Sequence, residues 1–276
     1  MIIKLAYSPC PNDTFAFHAM VHNLVDTEGI EFKTELADVE LLNQRAQDGI
    51  YDMCKLSYHA YFHLCDKYVM LKAGSALGYN NGPLLVARES FTGLTPDSKI
   101  AIPGRMTTAA LLLSIAYPQL QKREPVLFSQ IASRVLSGEF DAGVLIHEGR
   151  FTYEKDGLKL ICDLGNFWHT HSGTAVPLGG IAVSRNFNKE IRKKINRILK
   201  KSIEFAFTHP DISDEYVTLN AQIADREIQK KHINLYVNKF SLDIGSEGKK
   251  AVYSLYKNAL KSNQKIKVVR VEELFI

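Results

Sequence analysis

Two open α/β lobes with mostly parallel sheets form the fold class that this chain predicts, and three observations carry it. The first is an internal repeat. Asp48-Gly-Ile-Tyr-Asp-Met-Cys-Lys-Leu-Ser-Tyr-His59 returns as Ser137-Gly-Glu-Phe-Asp-Ala-Gly-Val-Leu-Ile-His-Glu148, with Gly49 on Gly138, Asp52 on Asp141 and Leu56 on Leu145. The second is what precedes each copy: a helix capped by Asp38 with Val39, Leu42 and Ala46 on one face, and one capped by Ser129 with Ile131, Val135 and Leu136. Gly49 and Gly138 then fall where a helix ends on a left-handed residue. The third is length, since 276 residues suit about two domains. Duplicated lobes imply a cleft between them, and the cleft is where function is sought.

The elements follow in order. The first lobe opens with strand Ile2–Tyr7, a loop through Asn12 and a helix from about Asp13 to Val25. Its second strand spans Ile30–Leu36, and the first repeat unit supplies the third. The second lobe repeats the plan with strand Lys99–Ile102, a loop through Thr107, a helix from Thr108 to Tyr117 and a strand Val126–Phe128. Short apolar runs at Gly82–Arg88 and Leu178–Arg185 carry the chain out of the first lobe and back. The lobes are expected at 1–87 with 181–276, and at 88–180. Beyond Arg185 the spacing predicts helices near 187–207, 211–224, 225–238 and 246–261, with Asp225 and Ser246 as caps, packed on the first lobe. The plan resembles the bilobal architecture of type II periplasmic binding proteins.

Composition narrows the function class. Hydrophobic residues make up 46% and charged residues 23%, ordinary for a globular protein, and no apolar run approaches the roughly 18 residues needed to span a bilayer. No secretory signal pattern is visible, so a cytoplasmic location is expected. The net charge is +4. Its densest basic run, Lys189 to Lys201, lacks interleaved aromatics and reads as a solvated helix face, not a nucleic-acid footprint. Four cysteines without CxxC spacing fit a reducing compartment.

Ligands of open α/β sheets collect beyond the carboxyl ends of strands, where helix N-termini offer free N–H groups. Four such ends are expected in the cleft. Ser8-Pro-Cys-Pro-Asn-Asp-Thr-Phe15 is stiffened by two prolines, with Asn12 or Asp13 as a cap. Gly104-Arg-Met-Thr-Thr-Ala109 places Thr107 or Thr108 as a cap whose helix amides can hold a carboxylate. Lys55-Leu-Ser57 and Leu145-Ile-His147 end the repeated strands. His147 suits general-base work, worth about 10²–10⁴ in rate. Its neighbour Glu148, in an extended segment, is expected to point the opposite way. Rival chemistries are weaker. His18/His22 and His59/His63 stand at metal-capable spacing but lack a completing carboxylate. Cys10 at a helix start would have a lowered pKa, with no base evident. No Gly-rich phosphate cradle occurs.

Together, Ser8 to Phe15, Lys55 to Ser57, Pro103-Gly-Arg-Met-Thr-Thr-Ala109 and Ile146-His-Glu-Gly-Arg-Phe-Thr-Tyr153 resemble the 1,4-dihydroxy-6-naphthoate synthases, lyases of the futalosine route to menaquinone. Asp163-Leu-Gly, Pro177-Leu-Gly179 and Tyr236 to Asp243 extend the likeness nearly end to end. The resemblance implies a binding-protein fold used as an enzyme. Its substrate would be cyclic dehypoxanthinyl futalosine, a spirocyclic carboxylic acid cleaved to 1,4-dihydroxy-6-naphthoate and dihydroxyacetone. It places the proton acceptor at His147 and substrate contacts at Lys55, Leu56, Ser57, Thr108 and Ala109. Such a cleavage needs a base, a carbonyl electron sink and oxyanion donors, with aromatisation as driving force, so no cofactor or metal is expected. The expected partner is the small-molecule acid, with neither nucleic acid nor membrane; a homodimer is left open. Gly165-Asn-Phe-Trp-His-Thr-His171 offers an aromatic rim, or Trp168 is a packed core residue. Chorismate dehydratase of the same route and a non-catalytic solute-binding protein are the alternatives.

Overall fold

Each lobe is organised by its own sheet in the structure, a computed structural model that describes residues 1–262 and 266–276. The chain begins β1 (Ile2–Tyr7), α1 (Pro11–Val21), β2 (Glu31–Leu36), α2 (Val39–Ala46), β3 (Met53–Ser57), α3 (Tyr58–Leu64), β4 (Tyr68–Met70) and β5 (Ala76–Gly78). It crosses into the second lobe for β6 (Leu84–Arg88), β7 (Ile100–Ile102), α4 (Thr108–Ala116), β8 (Arg123–Pro125), α5 (Ile131–Leu136), β9 (Ala142–Leu145), α6 (Gly149–Thr152), β10 (Leu158–Asp163) and α7 (Leu164–Ser172). The return is β11 (Val176–Ser184), followed by α8 (Lys189–Thr208), α9 (Pro210–Asn220), α10 (Arg226–Tyr236), α11 (Lys239–Leu242) and α12 (Gly245–Lys261).

The first sheet runs β2-β1-β3-β11-β4, with β5 also on β11; the second runs β10-β6-β9-β7-β8. Within them β1 pairs in parallel with β2 and β3, and β7 with β8 and β9. The sheets are mixed, however. The two crossover strands β6 and β11 run antiparallel to every partner, because each enters its sheet from the opposite lobe. Mostly parallel sheets were therefore the wrong expectation. The residue pairs 87/88 and 180/181, where the lobes were expected to divide, fall inside β6 and β11.

The repeat is structural. Gly49 (φ 69°) and Gly138 (φ 82°) take the left-handed conformation, and β3 and β9 follow them, buried along their length. Asp38 caps α2 by accepting from the Glu40 amide. Ser129 does not cap α5; it lies in a 3₁₀ turn, Phe128–Gln130, in the place of part of the expected strand 126–128. Ser246 likewise lies inside α12 instead of capping it.

On α8, Ile195, Ile198, Leu199, Ile203 and Ala206 are all buried at helical spacing, and α8 packs mainly on α1. Each such large side chain removed from water contributes about 1.5–3 kcal/mol. That face fixes the C-terminal helices on the first lobe and leaves the lysines outward. Where the chain leaves the first lobe, Gly82 meets Gly165: a Cβ on Gly82 would lie 2.2 Å from the Gly165 Cα, so only glycine permits this crossing. Among the described residues no helix is long and apolar enough to cross a membrane.

Candidate active site

One cavity lies between the lobes, where β1, β3 and β9 end and α1 and α4 begin. It has about 660 Å³ of atom-free space, counting its open mouth, within the size range of small-molecule sites. All nine residues singled out in the sequence line it: Asn12, Asp13, Lys55, Leu56, Ser57, Thr107, Thr108, Ala109 and His147. Ser8, Gly179 and Tyr236 contribute as well.

The large-lobe wall is a buried polar chain. Cys10 takes the N-cap position of α1 with Pro11 first in the helix, so neither Asn12 nor Asp13 caps, contrary to expectation. Asp13 instead accepts from the Ser8 hydroxyl at 2.7 Å, from Asn12 Nδ2 at 2.7 Å and from the Lys55 ammonium at 2.7 Å. The ammonium of Lys55 is thereby held at the cavity edge, nearly out of water. Ser57 Oγ accepts from Asn43 Nδ2 at 3.1 Å, and its amide donates to Asn43 Oδ1. With one lone pair engaged in this way, the hydroxyl hydrogen of Ser57 is available to a ligand oxygen.

The small-lobe wall begins with α4. Thr107 is its cap: the Ala110 amide donates to Thr107 Oγ1 and the Leu111 amide to the Thr107 carbonyl. The amides of Thr108 and Ala109 are left to meet an incoming anion, with the positive end of the helix behind them. Thr108 spends its hydroxyl on the Leu178 carbonyl at 2.7 Å, tying α4 to β11. The loop before α4 is held from the other lobe by Glu40, whose Oε1 accepts from the Arg105 amide at 2.9 Å.

Burial pushes the Glu40 carboxyl up from its ordinary 4.5, against the pull of the Met106 amide. The folded state then holds the proton to higher pH than the unfolded chain. Stability from this group is complete below about pH 4.5 and declines as the pH rises through the shifted value. Relative to Glu40→Gln, wild-type stability is expected to fall between pH 4.5 and 7. Urea unfolding at both pH values checks this, and a constant difference would refute it.

His147 belongs to the small lobe as well, two residues past the end of β9, with φ 54°. A left-handed histidine is a strained conformation of the sort that collects at functional sites. It also breaks the extended geometry assumed for this segment. Glu148 consequently turns to the same side as His147: it is 7% exposed, and its Oε1 lies 3.6 Å from Nδ1 of His232 on α10. His232 stacks parallel to His147, ring centres 5.7 Å apart, and Phe128 lies against the other ring at 4.9 Å. Neither Glu148 as a partner nor His232 was foreseen. His232 is remote in sequence, and no local signal marks it.

The groups of the rival chemistries are tied into the fold. Burial pushes the Cys10 thiol well up, with Glu148 adding to the effect, so the helix start does not activate it. Its Sγ is 3.9 Å from His147 Nε2. His18 Nδ1 bonds Ser213 Oγ at 3.0 Å, and His22 Nδ1 bonds the His18 carbonyl. His59 Nδ1 bonds the Thr107 carbonyl at 3.2 Å. Trp168 is fully buried with Nε1 donating to the Ala175 carbonyl, a core residue and no aromatic rim.

The family described as menaquinone biosynthesis matches residues 3–261. A Thermus thermophilus protein named 1,4-dihydroxy-6-naphtoate synthase is 40% identical over 257 residues, covering 93% of both chains. A Streptomyces coelicolor protein of the same name is 34% identical over 262 residues, covering 93% of this chain and 92% of that one. Among solved structures, an Archaeoglobus fulgidus protein superposes with a TM-score of 0.86 at 37% identity, covering 94% of this chain and 97% of that one. A Candida albicans protein described as having the generic periplasmic binding protein fold gives 0.68 at 14% identity, covering 98% and 99%, and speaks to the fold alone. The two lobes have the type II periplasmic-binding-protein architecture, and the chain belongs to the menaquinone biosynthesis family.

Proposed function

We propose that this chain is a carbon–carbon lyase that cleaves cyclic dehypoxanthinyl futalosine to 1,4-dihydroxy-6-naphthoate and dihydroxyacetone. The observation that carries the reading is the placement of His147 on one cavity wall with the Ser57 hydroxyl and the Thr108 and Ala109 amides in the same cavity. An imidazole there is suited to remove a hydroxyl proton from the spirocyclic acid. The electron pair left on oxygen forms a carbonyl as the neighbouring carbon–carbon bond breaks, and the electrons of that bond pass to the substrate's own carbonyl. The α4 amides and Ser57 are suited to hold the carboxylate or the developing oxyanion. Lys55 keeps a positive charge at the cavity edge, balanced by Asp13. Leu56 and Ala109 supply apolar wall for the ring system.

The names of the Thermus and Streptomyces relatives support the product, and the lobed fold supports closure around a small acid. Incubating the purified protein with cyclic dehypoxanthinyl futalosine, with chorismate, and with no substrate separates the alternatives by product mass. Formation of 1,4-dihydroxy-6-naphthoate from the first alone is expected. Dehydration of chorismate, or binding without any turnover, would reject the reading.

A further inference from the structure

Behind His147 the polar chain of the large lobe ends on an atom with no hydrogen-bond partner among the described residues. Asp13 can only accept, so Asn12 must present its Nδ2 to it, at 2.7 Å. Asn12 Oδ1 then faces His232 Nε2 at 2.8 Å, and an amide oxygen can only accept. His232 Nε2 therefore carries the hydrogen. The other nitrogen, Nδ1, is fully buried and has no hydrogen-bond partner among the described residues. It faces Glu148 Oε1 across 3.6 Å, lone pair against carboxylate oxygen. A ligand atom of His147 joins them, the three atoms lying within 4.8 Å of one another.

Acceptors converging on one point are what a cation satisfies. We propose that His147, Glu148 and His232 form a binding site for a divalent transition cation of the Zn²⁺ class, spanning the two lobes. Two ligands about 2.05 Å from one tetrahedral ion stand about 3.3–3.4 Å apart, close to the 3.6 Å between Nδ1 and Oε1. Two imidazoles and one carboxylate favour zinc-like ions over Mg²⁺ or Ca²⁺, which take oxygen ligands. The outer shell is already in place. A metal-binding histidine is normally fixed by a hydrogen bond from its other nitrogen, which Asn12, Asp13 and Lys55 supply here. Three protein ligands leave a fourth tetrahedral position open.

Such an ion would occupy the imidazole assigned above to proton removal. Metal would thus be an inhibitor, a consequence that rests on the proposed function, whereas binding does not. It would also join His147 and Glu148 of one lobe to His232 of the other, and so clamp the cleft.

Chelator-treated full-length protein titrated with Co²⁺ should develop visible d–d absorption at one equivalent, bleached by Zn²⁺ and unaffected by Mg²⁺. Glu148→Gln and His232→Asn should each weaken Co²⁺ binding by at least about tenfold, and His171→Asn, at an exposed position, should not. Absence of the spectrum in wild type, or its persistence in both site variants, would overturn the proposal. Should a variant fold poorly, anomalous scattering at the zinc edge from wild-type crystals decides: an ion among the three side chains supports the site, and one elsewhere rejects it. The spectrum needs no turnover, so failure of the proposed function and failure of the metal site are read separately.

Discussion

Replacing His147 with alanine is expected to lower turnover of the spirocyclic acid by about 10²–10⁴-fold, the usual worth of a general base. Substrate affinity should change far less, because the proposed carboxylate donors sit on α4 and β3. The backbone at this position complicates the substitution, since φ is 54°. Asparagine tolerates that conformation better than alanine does. His147→Asn should therefore keep the wild-type Tm while sharing the loss of rate, which separates lost chemistry from lost shape. Steady-state kinetics with calorimetric binding of the substrate checks both. Near-normal turnover in either variant would remove the base from the mechanism.

Asp13→Asn should produce the largest loss of stability among the cavity residues. The Lys55–Asp13 pair is nearly shut off from solvent, side chains 9% and 4% exposed. A buried pair adds little net stability when intact, but removing one partner leaves a charge uncompensated and costs about 3–5 kcal/mol. At about 2–4 °C per kcal/mol for chains of 150–250 residues, the expected fall in Tm is about 6–20 °C. The new amide would also turn N–H groups toward donors on Lys55, Asn12 or Ser8, disturbing the chain that fixes His232. Scanning calorimetry measures the first effect. The double variant Asp13→Asn/Lys55→Met should recover part of the loss, because it removes the stranded charge. A single variant melting within a degree or two of wild type would contradict this account of the large-lobe wall.

The parts of this architecture written in local sequence were legible. The paired units at 48–59 and 137–148 announced β3, β9 and the left-handed glycines before them, since a helix stop followed by a short apolar run is a nearest-neighbour pattern. The same patterns led to four of the chain segments that line the cavity. Strand direction was not legible: β6 and β11 run antiparallel to their neighbours because of where the chain re-enters each sheet, which periodicity does not encode. Nor were Glu148 and His232. The first depended on one left-handed residue, the second on α10 packing against α1 from more than 200 positions away, with His232 bonding Asn12. Caps were legible where an acid or threonine led into a helix, as at Asp38, Thr107 and Asp225. They failed at Asn12, Ser129 and Ser246, where a proline, a 3₁₀ turn or an isoleucine set the helix start.

The most direct test is a crystal structure of the His147→Asn protein with intact cyclic dehypoxanthinyl futalosine bound. The account predicts the acid between the lobes, its carboxylate or carbonyl oxygen on the Thr108 and Ala109 amides or on Ser57 Oγ. Its reacting hydroxyl would lie within hydrogen-bond reach of position 147. An acid bound outside this cavity, or with that hydroxyl turned toward bulk water, would contradict it.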